Sequence, residues 1–179
     1  MVKDVSQPVS GIAGACKFNR RTYHGLGEFL SDQLFLIKNL RQVLRIMRGK
    51  VIPHSFRERL MLAVVSVYGC RYCSWAHTRE ALRSGVDKDE IGNLLAGSVD
   101  NCPEDEAVAV LYAQHWADSD MNPTPEASNR LEETYGAEKA RVINMVLRMN
   151  RVGNLSGNTW DRFLNRISFG RWGGASQAY

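Results

Sequence analysis

A chain of 179 residues that is 44% hydrophobic and 23% charged has the make-up of one ordinary soluble domain, not of a disordered, fibrous or membrane protein. A domain this size removes about 70% of its unfolded surface from water, so it needs no disulfide or structural metal, and its four cysteines (Cys16, Cys70, Cys73, Cys102) form no disulfide framework. The net charge of +4 is segregated, with 10 Lys/Arg against 3 Asp/Glu in residues 17–59 and 2 against 12 in residues 87–134, so basicity alone is weak evidence for nucleic acid. Blocks that face each other within or between subunits are the competing reading.

The segment from Met1 to Asp4 lacks a cationic patch followed by an apolar stretch. The longest apolar run, Leu60 to Tyr68, falls well short of the roughly 20 residues that span a bilayer. The expectation is a cytoplasmic, reducing compartment and no membrane partner.

Helical signals then dominate in chain order. Residues 27–49 predict a basic amphipathic helix, with Phe29, Leu30, Leu34, Ile37, Leu40, Leu44 and Met47 three or four apart and Lys38, Arg41, Arg45 and Arg48 in a separate stripe. Pro53 breaks the chain, and Ser55 with Glu58 offers a capping box for a second helix that Gly69 stops. A third helix runs from about Cys70 to Gly85, and Asp87 with Glu90 caps a fourth. Pro103 before Glu104, Asp105 and Glu106 puts carboxylates in a first turn, where the macrodipole favours them. After a polar loop at 118–124, Thr124 and Pro125 open a helix that stops at Gly136, and another follows over 137–150. Asn154 to Asn158 reads as a loop, and Trp160, Phe163, Leu164 and Ile167 define a last amphipathic segment, so helices fill 104–170. With no alternating strand or hairpin turn, the class is all-α, one domain over residues 1–179.

The chemistry concentrates in Cys70-Arg71-Tyr72-Cys73 and His77. Zinc would need a fourth ligand recruited from Cys102 or Cys16, because no second ligand pair exists. Covalent haem attachment needs a histidine where Ser74 stands, and a thioredoxin-like motif needs a βαβ context. A dithiol at a helix start remains. Backbone N–H groups and the helix dipole there favour a thiolate, and Arg71 adds a positive charge beside it.

His77 lies one turn after Cys73 on the same helix face. If the helices around Gly69 fold back as an antiparallel hairpin, Glu58 and His77 are level across it, because their midpoint falls at the turn. Glu58, His77 and Cys73 would then line up as orienter, base and nucleophile. The spacing equally permits Glu58 to complete the Ser55 capping box. His24, His54 and His115 read as surface or packed residues, and Trp75 and Trp116 either wall an apolar pocket or belong to the core.

The pattern Glu58-x11-Cys70-x2-Cys73-x3-His77, with its flanking Arg59-Leu-Met-Leu-Ala-Val-Val and Gly69-Cys-Arg-Tyr-Cys-Ser-Trp-Ala-His, resembles the alkylhydroperoxidase (AhpD-like) and carboxymuconolactone decarboxylase superfamily over residues 55–97. The resemblance implies an all-helical bundle with a central antiparallel hairpin carrying the Cys-x-x-Cys, assembled as a homo-oligomer, a trimer or hexamer. It also implies a thiol peroxidase that reduces alkyl hydroperoxides. Cys73 would attack the peroxide, Cys70 would resolve to a disulfide while Cys16 and Cys102 stay reduced, and Glu58 with His77 would relay the proton. Some members carry a second histidine between the cysteines where this chain has Tyr72, whose phenol can still donate a hydrogen bond; Arg71, Tyr72 and Trp75 are the supporting candidates. The expectation is no cofactor and no metal, only an external dithiol reductant. The alternatives are a general thiol-disulfide oxidoreductase, a carboxymuconolactone decarboxylase-like enzyme, and a redox-sensing polyanion binder led by the basic helix.

Overall fold

Gly69 and the buried helix before it set the architecture. The computed structural model describes residues 18–173, which leaves Cys16 and the Met1–Asp4 segment outside the described residues. Its elements are α1 Leu26–Lys38, α2 Leu40–Met47, α3 His54–Tyr68, α4 Arg71–Arg83, α5 Lys88–Leu95, α6 Glu104–Asp118 and α7 Pro125–Ile167, with no strand among the described residues. The fold is all-α.

Helix α3 is the axis: it packs against α4, α5, α6 and α7, and every residue from Phe56 to Val65 is buried. Its second half, Leu60–Val65, is apolar all round and belongs in a core. Leu60, Leu62 and Val64 are each wholly enclosed, an environment worth about 1.5–3 kcal/mol per side chain. The charges within this helix survive burial because each has a partner. Arg59 bonds Glu90 of α5 and Glu106 of α6, while Arg57 bonds Glu58 and the terminal carbonyls of Ile46 and Met47 on α2. Removing one member of such a buried pair costs about 3–5 kcal/mol. The contacts of Arg59 with Glu90 and Glu106, and of Arg21 with Asp118, join the basic and acidic blocks of the sequence within one chain.

Several sequence boundaries shift. The helix predicted over 27–49 is broken at Asn39 into α1 and α2. Helix α3 starts at His54 behind Pro53, with no side-chain cap, so Ser55 and Glu58 form no capping box. Asp87 does cap α5, accepting from the Asp89 N–H at 2.8 Å, but Glu90 turns to Arg59 instead of back to the cap. Thr124 caps α7 as the sequence indicates, and Gly136, at φ 76°, kinks it where a stop was expected. The loop expected at 154–158 is helix: α7 continues to Ile167. Asn150, Asn154 and Asn158 repeat every four residues along its buried face, where Asn150 donates to Met61 O, Asn154 to Asn150, and Asn158 to Tyr68 O and Arg21 O. Asparagine favours turns in isolation, but the Asn150 and Asn158 amides find acceptors in α3 and in the chain entering α1, and tertiary contact overrides propensity.

Candidate active site

The site is assembled at the α3–α4 turn. Gly69 takes the left-handed conformation (φ 67°, ψ 27°) that closes α3, its N–H bonding Val65 O, and Cys70 is already the N-cap of α4. A turn this short folds α4 back along α3. Glu58 and His77 meet across the hairpin, with His77 Nδ1 2.8 Å from Glu58 Oε2, while Glu58 Oε1 takes Arg57 Nη2 at 2.6 Å. The Glu58 side chain is buried. Burial pushes its carboxyl up, but the hydrogen bonds and positive charge of His77 and Arg57 outweigh that and hold it below the usual carboxylate range. An ionised carboxylate accepts only, so Nδ1 carries the proton of this hydrogen bond and Nε2 is left for other work.

The two thiols are free and unequal. Cys70 is 0% exposed and closed to a bulky reductant, whereas Cys73 is partly exposed. Cys70 Sγ accepts the Cys73 N–H at 3.3 Å, as an N-cap should. The Cys73 thiol donating to it, the backbone N–H groups of Cys73 and Tyr72, and the Arg20 guanidinium bring its pKa down to about 7 against the opposing effect of burial. The hydrogen bond to Cys70, burial and the Cys70 charge push the Cys73 thiol up. The dithiol as a pair therefore sheds its first proton near neutrality and keeps its second, and the N-cap position of Cys70, whose Sγ accepts the Cys73 N–H, favours the charge on the inner sulfur.

Arg71 does not serve as the expected neighbouring cation. Its guanidinium turns to Asp161 Oδ1 at 2.7 Å and to the Tyr72 hydroxyl at 2.8 Å. Tyr72 in turn donates to Asp161 Oδ1 at 2.8 Å, and burial together with that carboxylate raises its pKa, so the phenol stays neutral. Trp75, 58% exposed, joins Arg71, Tyr72 and Ala76 around an open cavity of about 570 Å³ on the outer side of α4. Trp116 is core.

What the sequence reading missed comes from α7. A Cβ at Gly157 would stand 2.7 Å from Cys70 Sγ and 3.3 Å from the Tyr72 ring, and one at Gly153 would stand 3.8 Å from Cys73 Sγ. Two glycines four apart clear a strip of helix surface for two sulfurs. Asp161, one turn further on and fully buried, takes Arg71, Tyr72 and Arg20. The available signal was the pair of glycines in a helical pattern, where each costs about 0.5–1 kcal/mol relative to alanine and so implies a packing reason.

Residues 37–114 match the family model described as carboxymuconolactone decarboxylase family. No curated protein and no solved structure matches the chain. The matched segment holds Glu58, Cys70, Cys73 and His77, while Arg20, Gly153, Gly157 and Asp161 lie outside it. Among the described residues, no helix is long and apolar enough to cross a membrane, and no three His, Cys, Asp or Glu side chains cluster as metal ligands.

Proposed function

We propose that this protein is a thiol peroxidase that reduces organic hydroperoxides, with Cys73 as the attacking sulfur and Cys70 as its partner. The observation that carries the reading is the Glu58–His77 contact at 2.8 Å on the hairpin whose turn carries a dithiol that ionises near pH 7. Such a carboxylate–imidazole pair one helical turn from a thiol is the arrangement that activates a nucleophile and serves its leaving group.

The resting charge lies on Cys70, but only Cys73 is open to a substrate. Moving the shared proton along the hydrogen bond from Cys73 to Cys70 generates the outer thiolate, so Cys70 serves as the internal base. The Cys73 thiolate then attacks the terminal peroxide oxygen: an S–O bond forms, the O–O bond breaks, and sulfur loses the two electrons that the peroxide gains. The departing alkoxide takes back the proton that the dithiol gave up on ionising, delivered through Nε2 of His77 while Glu58 holds the Nδ1–H in place. Cys70 next displaces hydroxide from the Cys73 sulfenic acid, giving water and the Cys70–Cys73 disulfide. The sum is hydroperoxide plus dithiol to alcohol, water and disulfide. An external dithiol, entering by exchange at the partly exposed Cys73, restores both thiols with no bound cofactor.

A cytoplasmic, reducing compartment suits that cycle. The same proposal includes a homo-oligomer, since Leu26, Leu30, Leu34, Ile37, Leu44 and Met47 line up as an exposed apolar stripe along α1 and α2. The family match supports a second reading, a decarboxylase-like enzyme that would not depend on its cysteines. Replacing Cys70 by Ser tests the peroxidase reading. The variant, lacking the internal base, should react once and more slowly than wild type, accumulate a sulfenic acid on Cys73 that a dimedone-type reagent traps, and fail to turn over. Continued turnover by Cys70→Ser would contradict it.

A further inference from the structure

The chain entering α1 carries a cation to the dithiol. Residues 18–24 lie over the α3–α4 turn and are fastened along their length. Asn158 donates to Arg21 O at 2.9 Å, Thr159 Oγ1 accepts the Tyr23 N–H at 3.1 Å, and Arg162 donates to Thr22 Oγ1 at 3.0 Å. On the other side, Arg21 donates to the carbonyls of Ala117 and Asp118 at the end of α6. Within this strap the Arg20 side chain is nearly buried and lies against Gly69, the residue before Cys70. Its Nη1 points to Gly69 O and Asn158 Oδ1 at 3.4 Å each, and its Nη2 pairs with Asp161 Oδ2 at 2.8 Å and donates to Gly173 O at 2.9 Å.

We propose that Arg20 is a positioning residue of the dithiol site, fixed by Asp161 and Asn158 beside Cys70 so that the inner sulfur rests as a thiolate. The charge count explains why a paired arginine can still act. Asp161 is one buried carboxylate facing two guanidiniums, Arg20 on one oxygen and Arg71 on the other, and it cannot neutralise both. The surplus positive charge lies where the N-terminus of α4 already presents backbone N–H groups to Cys70 Sγ. The other groups facing the dithiol do not supply a free cation. Arg71 is shared with Tyr72, Tyr72 is a neutral phenol bonded to Asp161, and Glu58 is an anion paired with Arg57 and His77. The site thus extends beyond the matched segment at both ends, to Arg20 before it and to α7 after it.

The inference rests on the dithiol's being the reactive group of the peroxidase reading, and it is read out without peroxide. Thiolate absorbance at 240 nm is followed from pH 5 to 10 in the reduced full chain, as wild type, Arg20→Gln and Arg20→Lys, together with the rate of iodoacetamide alkylation at pH 7. The first thiol of the wild type should titrate at about 7. Arg20→Gln should move that midpoint up by about half a unit, which roughly halves the alkylation rate at pH 7, and Arg20→Lys, which keeps the charge, should stay with wild type. Superimposed titrations for wild type and Arg20→Gln, with only a lower melting temperature, would make Arg20 a fastener of the strap and overturn the proposal. Equal shifts in Arg20→Gln and Arg20→Lys would overturn it as well, since displacement of the strap and not charge would be the cause. Wild-type protein that titrates and alkylates as expected but leaves hydroperoxide unreduced would defeat the peroxidase reading while supporting this one.

Discussion

The α3–α4 hairpin brings Glu58, Cys70, Cys73 and His77 to the site, whereas α7 brings Gly153, Gly157, Asn158 and Asp161. The hairpin supplies groups that react or move protons. Helix α7 supplies room for two sulfurs, an amide that ties Tyr68 O to the incoming chain, and a carboxylate that gathers two arginines and a phenol. Only the hairpin lies within the family match, so chemistry and its support come from different stretches of sequence. A chemical group can be read from its side chain, but a glycine's contribution is visible only once its neighbour is known.

The comparison forecasts that hairpin substitutions strike the rate and α7 substitutions strike geometry and stability. Cys73→Ser should produce the largest effect, lowering peroxide reduction to free-thiol background while the circular dichroism spectrum stays helical. His77→Ala should slow the first step by roughly 10² to 10⁴, with Glu58→Gln at the lower end because the amide still accepts the Nδ1 proton. A Glu58→Gln rate equal to wild type would remove Glu58 from the relay.

The pH profile comes next in size. The first proton of the dithiol comes off at about pH 7, so the dithiol monoanion from which Cys73 attacks is present above that pH and is lost as pH falls through it. Single-turnover rates should therefore drop about tenfold per unit below pH 7 and level off above it. A profile still rising between pH 8 and 9 would show an unactivated thiol.

On α7, Gly157→Ala should destabilise the fold by about 1–3 kcal/mol in urea unfolding, because its new Cβ, 2.7 Å from Cys70 Sγ, forces the buried sulfur to move. Gly153→Ala meets Cys73 Sγ only at 3.8 Å, an ordinary contact, and should be neutral or stabilising by up to about 1 kcal/mol. Equal costs at the two glycines would contradict the assignment of one sulfur to each.

Much of the hairpin was legible. Gly69 marked the turn, and the midpoint between Glu58 and His77 put them level across the hairpin before any coordinates did. The capping box was not decidable from spacing, because Ser55 and Glu58 have the right residue types but Pro53 sets the helix start two residues early. Arg71 looked like the cation of the dithiol because it is adjacent in sequence. Its partner, Asp161, is 90 residues away, as is the Asn158 amide that bonds Tyr68 O. The Asn154–Asn158 stretch misled for a related reason: the Asn158 amide, which would close a turn in an isolated peptide, bonds the distant carbonyls of Tyr68 and Arg21, while Asn154 bonds Asn150 one turn back along a helix that continues through both. Arg20 carried no local signal at all.

The most direct test of the central claim is a single-turnover reaction of fully reduced protein with one equivalent of an organic hydroperoxide, followed by thiol counting and peptide mapping. The account predicts rapid loss of two thiols per chain, one Cys70–Cys73 bridge, and Cys16 and Cys102 still open to alkylation. Loss of a single thiol, a dominant bridge to Cys16 or Cys102, or thiols that survive the peroxide would contradict it.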